Sequence, residues 1–120
     1  MNLEQIRKYC LNKKGITENF PFDEDLLVFK VLGKVFALTS LKGWETGMPS
    51  INLKCDPNYA EELRATYSSI QPGYQMNKKH WNTISIHEGE VQPKLLFRLI
   101  DHSYDMVIKA MPKKLRDRLI

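Results

Sequence analysis

The sequence predicts an α+β fold in which helices cover one antiparallel sheet. Two apolar runs, 26–32 and 35–41, are rich in Val, Phe and Leu, and Gly33-Lys34 separates them in the manner of a tight β-hairpin. Apolar residues at helical spacing stand near both ends of the chain. The predicted order of elements is α-β-β-β-α-β-β-α-α, which is typical of the α+β class.

The first predicted helix begins with its own capping chemistry. Asn2 is a favourable N-cap, and Gln5 stands at the capping-box position three residues later. Leu3, Ile6 and Cys10 share one face at helical spacing. The helix is expected to end at Gly15, a residue that tolerates the left-handed conformation.

The segment 16–25 is predicted to be a loop. Pro21 disfavours a helical conformation at Phe20, so the chain there is expected to be extended. The consecutive carboxylates at 23–25 are interpreted as a solvated surface and not as a cation site, because the loop offers no other ligands.

The third predicted strand, after the hairpin, alternates in polarity from residue 50 to residue 55. Ile51 and Leu53 face one way, whereas Asn52 and Lys54 face the other. This strand is therefore expected to have one solvated face. The segment 42–49 before it contains two glycines and a proline and is predicted to be a mobile loop.

A second helix is predicted to open at Asp56-Pro57, because Asp is a good N-cap and Pro fits the first helical position. Its buried stripe is Ala60, Leu63 and Tyr67.

The second half of the chain is predicted to hold two further strands and the last helices. Residues 68–73 are expected to form a turn-rich linker, followed by short strands at 74–76 and 83–86. A long helix with a broad apolar face is predicted from Pro93 to about Ala110. Pro112 breaks it, and a short basic helix is expected beyond.

Length and composition predict one domain spanning residues 1–120. No window approaches the roughly 18 apolar residues of a membrane span, and the N-terminus has no apolar signal core. Cys10 and Cys55 are the only cysteines and lie among apolar neighbours, which favours buried free thiols in a reducing compartment. We expect a cytoplasmic monomer that does not associate with membranes.

The positions of the charged residues are more informative about binding partners than the net charge of +4. Basic residues cluster at 13–14, 78–80 and 113–118, whereas acidic residues concentrate at 23–25 and 88–90. This separation is compatible with a basic side and an acidic side. For the lysines at 13–14, a complementary charge on the dipole of the first helix is an alternative role.

Known catalytic motifs are missing from the sequence. No phosphate-binding glycine loop and no GxSxG elbow are present. His80, His87 and His102 are spread over three elements, without the CxxC, HxxxH or HExxH spacing of a zinc site. The sequence predicts a binding protein that is not an enzyme, with no metal and no cofactor.

Residues 74–86 are the strongest candidate for a binding site, because they combine adjacent lysines with a tryptophan and amide side chains. Such a loop can contact a nucleic-acid backbone and stack on a base. The segment 74–86 and the loop around Trp44 are predicted to form two projecting loops, or wings, with basic and aromatic residues at their tips. These wings would straddle DNA and contact mainly its phosphates. The candidate residues are Lys42, Trp44, Lys78, Lys79, His80, Trp81, Asn82, Lys113, Lys114 and Arg116.

Three alternatives stay open at this point. Residues 74–86 form a plain surface turn if Trp81 folds onto the core. A small-molecule binder would use an apolar cleft formed by Trp44, Trp81, Tyr74 and Met76. A protein-interaction domain would use the charged last helix or the basic tail. Few side chains suit base readout, so little sequence specificity is expected.

Residues 72–84, Pro-Gly-Tyr-Gln-Met-Asn-Lys-Lys-His-Trp-Asn-Thr-Ile, resemble the signature of the MmcQ/YjbR family. Residues 53–57, 103–107 and 111–114 resemble further motifs of that family, although Gln75 replaces a frequent histidine. The resemblance implies a CyaY-like fold of double-wing type, a bacterial cytoplasmic protein, and a DNA-binding surface that includes residues 78–81. An iron-binding role like that of frataxin is not implied, because Glu4 is the only acidic residue of the first helix.

Overall fold

In the computed structural model, which describes residues 1–120, a six-stranded antiparallel sheet carries its helices on one face. The strand order is β1-β2-β3-β4-β6-β5. The strands are β1 (Ile16–Asn19), β2 (Leu26–Val31), β3 (Lys34–Ser40), β4 (Ser50–Lys54), β5 (Ile70–Pro72) and β6 (Trp81–Ser85). The helices are α1 (Leu3–Leu11), α2 (Leu41–Glu45), α3 (Pro57–Thr66), α4 (Pro93–Lys109) and α5 (Lys113–Arg116), with 3-10 turns at Ile86–Glu88 and Asp117–Leu119.

The hydrophobic core lies between the helices and one face of the sheet, which we call the inner face. Phe29, Leu53 and Ile84 of the sheet are buried there against residues of α1, α3 and α4, including Ile6 and Ile100. Because side chains alternate along a strand, the neighbouring residues point to the opposite, outer face. The outer face is only partly open, since Val28 and Leu38 point to it and are buried. None of the helices has the length and apolar character needed to cross a membrane.

The α+β class and several local predictions are confirmed. Asn2 and Gln5 form the predicted capping box of α1. Asp56 caps α3 by accepting a hydrogen bond from the Tyr59 backbone N–H at 3.1 Å, with Pro57 in the first turn. The two cysteines are buried and free.

The predicted hairpin is also confirmed, with its turn one residue earlier than expected. Leu32 (φ 48°) and Gly33 (φ 82°) are the central residues, both in the left-handed region that a two-residue hairpin turn requires. A leucine in this conformation is unfavourable by about 1–2 kcal/mol. Packing offsets this cost, since the Leu32 side chain contacts the core and its N–H donates to the Gly15 carbonyl at 2.9 Å.

Three predictions of local structure are wrong. The supposed loop at 16–19 is the edge strand β1, where Ile16 pairs with Val31 and Glu18 binds Arg7 of α1. The supposed mobile loop begins as α2, because Ser40 caps it. The strand expected at 74–76 lies instead at 70–72, because Ile70 pairs with buried Ile84.

Two side chains of α4 complete the hydrogen bonding where β3 and β4 separate. These strands share only two registered pairs, Ala37–Leu53 and Leu38–Asn52. Beyond them, the buried Ser103 hydroxyl accepts from the Lys54 N–H at 2.9 Å and donates to the Phe36 carbonyl at 2.6 Å. His102 Nε2 accepts from the Asp56 N–H at 3.1 Å. Helix α4 therefore replaces the missing ladder bonds.

Candidate nucleic-acid interface

The loop 73–80 between β5 and β6 is organised by Asn77. Its side-chain Oδ1 accepts from the backbone N–H of Lys79 at 3.0 Å and of His80 at 3.3 Å, while its carbonyl accepts from Trp81 N–H at 2.9 Å. Asparagine favours turns for this reason. The arrangement leaves the side chains of Lys78 and Lys79 exposed to solvent.

Arg64 of α3 anchors the same loop from the inner side. Its Nε donates to Asn82 Oδ1 and its Nη2 donates to the Lys78 carbonyl, both at 2.8 Å. Asn82 faces inward and is only 2% exposed, so its prediction as a DNA-contacting residue is wrong. The cause is strand register, since Asn82 pairs with Leu53 on the inner face. Much of this motif is therefore structural.

Trp81 is half-buried on the outer face, paired across the sheet with Lys54. It is neither an exposed tip nor part of the main core. Gly73 passes so close that a Cβ there would lie 2.8 Å from Trp81 Cβ, which explains the requirement for glycine. His80 is also half-buried, and its carbonyl accepts from the Cys55 N–H at 2.8 Å.

Several lysines meet at one end of the sheet, which we call the basic end. There the β2–β3 turn, the end of β4 and the loop 73–80 lie side by side, because the strands are antiparallel. Lys34 and Lys54 line a shared surface hollow of about 330 Å³ with Pro112, which immediately precedes Lys113 and Lys114. The basic end brings together Lys14, Lys34, Lys54, Lys78, Lys79, Lys113, Lys114 and the half-buried Arg116.

Most of these lysines are free of carboxylate partners. Lys34, Lys54, Lys78 and Lys79 have no acidic oxygen within 4.0 Å. At the same end, Lys13 binds Asp101, and Lys113 lies 3.7 Å from Asp117 in an exposed pair. Unpaired ammonium groups at one end make it attractive to a polyanion.

Lys42 and Trp44 belong to the opposite end of the sheet, so their prediction as part of the same surface is wrong. The Lys42 N–H donates to Asp25 Oδ1 at 2.8 Å. The half-buried Trp44 packs against the core, and its Nε1 donates to Thr39 Oγ1 at 2.9 Å. This acidic end also carries the carboxylates at 23–25 and 88–90, because β2 begins and β6 ends there.

The two hairpins that do share the basic end are β2–β3 and β5–β6. If the protein has two wings, they are these two hairpins: one carries Lys34 and the other carries Lys78 and Lys79. Lys42 belongs to neither. Lys34 and Lys54 were missed as site residues, and the 71% exposed Tyr74 was named only for a small-molecule cleft. The alternation that predicts a solvated face for Asn52 and Lys54 was a usable signal for Lys54.

The remaining titratable groups form no metal-binding cluster and include no activated thiol. No group of three or more His, Cys, Asp and Glu side chains is placed to hold a metal ion. Burial raises the pKa of Cys10 to about 12 and that of Cys55 to about 11, so both thiols are unreactive at neutral pH. Burial lowers the pKa of His102, which keeps Nε2 available as an acceptor.

These features define a class of small α+β protein with an open antiparallel sheet, a basic end formed by two hairpins, and an acidic end opposite. The chain belongs to the YjbR family, whose model matches residues 11–106.

Several relatives match this chain over most of its length. It is 42% identical to the uncharacterised Escherichia coli protein YbdF, covering 97% of this chain and 92% of that protein. It is 29% identical to the uncharacterised Escherichia coli protein YjbR, covering 100% and 98%. A crystal structure of Deinococcus radiodurans protein DR2400, a DUF419 domain, superposes with a TM-score of 0.88 at 38% identity, covering 98% and 87%. A Pseudomonas syringae protein superposes with a TM-score of 0.73 at 28% identity, covering 88% and 98%.

Proposed function

We propose that this protein binds DNA weakly and with little sequence specificity, by contacting phosphates with the lysines of the basic end. The observation that carries the proposal is the convergence of Lys34, Lys54, Lys78 and Lys79 without ion-pair partners. An ammonium that already binds a carboxylate has less to gain from a phosphate. None of the four binds a carboxylate, although the Lys78 Nζ donates to the Gly73 carbonyl at 3.3 Å.

The separation of charge along the sheet supports an oriented approach. A polyanion is attracted to the basic end and repelled by the carboxylates at 23–25 and 88–90. Contacts to about three to five phosphates give a non-specific Kd of roughly 10⁻⁴ to 10⁻⁶ M at physiological salt. The logarithm of the binding constant should fall linearly with the logarithm of salt concentration, with a slope of about −2.7 to −4.5.

The test is a fluorescence-anisotropy titration of labelled DNA at several salt concentrations. The double variant Lys78→Glu/Lys79→Glu should weaken binding to every sequence and reduce the salt slope by about 2, because two phosphate contacts are lost. Lys42→Glu is the matched control: it is an exposed lysine at the acidic end and should bind like the parent. No binding at low salt, or equal weakening by the control, would contradict the proposal.

The small-molecule alternative, in which four residues line one apolar cleft, is not compatible with the fold. Trp44 and Trp81 lie at opposite ends of the sheet, so they cannot line one cleft with Tyr74 and Met76. The protein-interaction alternative has no specific observation in its favour. The proposal is for a binding protein and assigns no catalytic role to any residue.

A further inference from the structure

We infer that the outer face of the sheet binds single-stranded nucleic acid, with phosphates on a lysine row at the basic end and a base in the polar hollow beside Tyr74. This inference rests on the proposed function and specifies the form of nucleic acid. It depends on three features of the outer face: a row of lysines, an exposed aromatic ring, and a hollow with polar walls.

The lysine row crosses the outer face near the basic end. Register places Lys30 on β2 and Lys54 on β4 on this face, with Trp81 beside Lys54 on β6. Strand β3 lies between β2 and β4, and since β3 and β4 have already separated at Lys54, the backbones that carry the two lysines are more than about 10 Å apart. Both lysines are half-buried, and Lys54 also borders the hollow that Pro112 lines at the end of α4. Neither has an ion-pair partner.

The hollow lies two residues farther along the strands, about 7 Å from the lysine row. Its volume is about 300 Å³, at the lower end of ligand sites. Polar side chains of the sheet form its floor, among them Ser50, Asn52 and Thr83. The Thr83 hydroxyl donates to Asn52 Oδ1, which leaves the Asn52 amide N–H groups free to donate to a ligand. Amide and hydroxyl groups are suited to base edges.

Tyr74 borders the hollow with an exposed aromatic ring, and its backbone is hydrogen-bonded to β6. Tyr74 is 71% exposed, although its N–H donates to Thr83 Oγ1 at 2.9 Å. The next residue, Gln75, adopts φ 56° in the left-handed region and also lines the hollow. A non-glycine residue in this conformation is uncommon and marks a constrained loop. The Tyr74 ring is therefore an accessible surface beside the hollow on which a base can stack.

The acidic rim gives the ligand its direction. Asp23 and Asp25 border the hollow on the side away from the lysines. They repel phosphate, and Asp23 Oδ2, the one of their four oxygens that accepts no hydrogen bond within the protein, can accept from an amino group of a base. A nucleotide is thus oriented with its phosphate on the lysine row and its base toward the carboxylates.

This arrangement favours a single strand over a duplex. The hollow contacts the edge and face of one base, and both are concealed when bases are paired and stacked. A duplex can use only the lysines, whereas a single strand uses the lysines, Tyr74 and the hollow.

The test compares a labelled 12-nucleotide single strand with a duplex of the same length at low salt. The single strand should bind more tightly. Tyr74→Leu should weaken single-strand binding by about 5- to 100-fold, because stacking on a base is lost, and should leave duplex binding unchanged. Tyr74→Phe should retain most of the affinity, since the ring remains. Phe20→Leu is the matched control, because Phe20 is 44% exposed but lines a different surface near Leu3 and Arg7.

Other results of this experiment would contradict either the single-strand inference or the proposed DNA binding. Equal or tighter binding of the duplex, or an equal loss on both forms in Tyr74→Leu, would overturn the inference while leaving the proposed DNA binding intact. Competition by a nucleoside, which carries no phosphate, as strong as that by the 12-nucleotide strand would also overturn it, because the lysine row would then have no role. Binding of neither form would remove the proposed function itself.

Amide chemical shifts provide an independent readout. On addition of the single strand, the shifts should change at Lys54, Asn52, Tyr74 and Thr83. Residues of the inner face should not respond. Changes confined to the loop 73–80 and α5, with none along the outer face, would contradict the inference.

Discussion

Replacing Ser103 by alanine should destabilise the protein strongly, although it removes only one oxygen atom. The Ser103 hydroxyl is buried, and it accepts from the Lys54 N–H while donating to the Phe36 carbonyl. The variant leaves both backbone groups without this partner at the point where β3 and β4 separate. A buried polar group without a partner costs about 1–3 kcal/mol, so the expected loss is about 2–4 kcal/mol.

This loss is a large part of the 5–15 kcal/mol that stabilises a typical domain. Alanine has a better helix propensity than serine, which offsets about 0.5 kcal/mol. For a chain of this size, 1 kcal/mol corresponds to a shift in Tm of about 4 °C. The net loss is therefore about 1.5–3.5 kcal/mol, and the melting temperature should fall by about 6–14 °C.

Urea unfolding followed by circular dichroism measures the change directly, and the slope of the unfolding free energy against urea should be unchanged. Ser85→Ala is the matched control, because Ser85 is half-buried on β6 and its hydroxyl makes no hydrogen bond; its unfolding free energy should change by less than about 0.5 kcal/mol. A loss below about 1 kcal/mol in Ser103→Ala would refute the argument, since the backbone groups would then have other partners.

Two further predictions concern Arg64, which anchors the loop 73–80, and His102, which accepts from the Asp56 N–H just after β4. Arg64→Met removes the donors to Asn82 Oδ1 and to the Lys78 carbonyl, so the unfolding free energy should fall by about 1.5–3 kcal/mol and amide hydrogen exchange in the loop 73–80 should accelerate. Arg64→Lys should not restore slow exchange, because lysine lacks the forked donor geometry of arginine. An unchanged exchange rate in Arg64→Met would contradict the anchoring role of Arg64. Burial lowers the pKa of His102, so the unfolded chain takes up a proton that the folded chain does not as pH falls below about 6.5, and the unfolding free energy should decrease there. His102→Gln keeps an acceptor for the Asp56 N–H without titrating, and should show a smaller decrease between pH 7.5 and 5.5 in urea unfolding; an identical decrease would exclude His102 as its cause.

The predictions that succeeded depend on neighbours along the chain. The capping box of Asn2 and Gln5 and the Asp56-Pro57 helix start involve contacts three residues apart or fewer. Hairpin formation at Gly33 is equally local, because the backbone of a two-residue turn must adopt positive φ. The family resemblance of residues 72–84 is likewise a property of sequence alone, and the family assignment confirms it.

The predictions that failed depend on which segments meet in space. The edge strand at 16–19 has little strand signal of its own and forms because β2 offers it a partner. Asn82 turns inward because the register with β4 and the donor on Arg64 decide its face. Neither partner is close to it in sequence.

The sequence by itself determined the class of fold, the helix caps, the hairpin, the free thiols and the presence of separate basic and acidic clusters. Only the tertiary structure decided that Lys42 and Trp44 lie with the acids, while Lys34 and Lys54 join Lys78 and Lys79. The physical reason is that an antiparallel sheet alternates its direction at each strand. Segments distant in the chain are thereby brought to the same end, and neighbours in the chain can be carried to opposite ends.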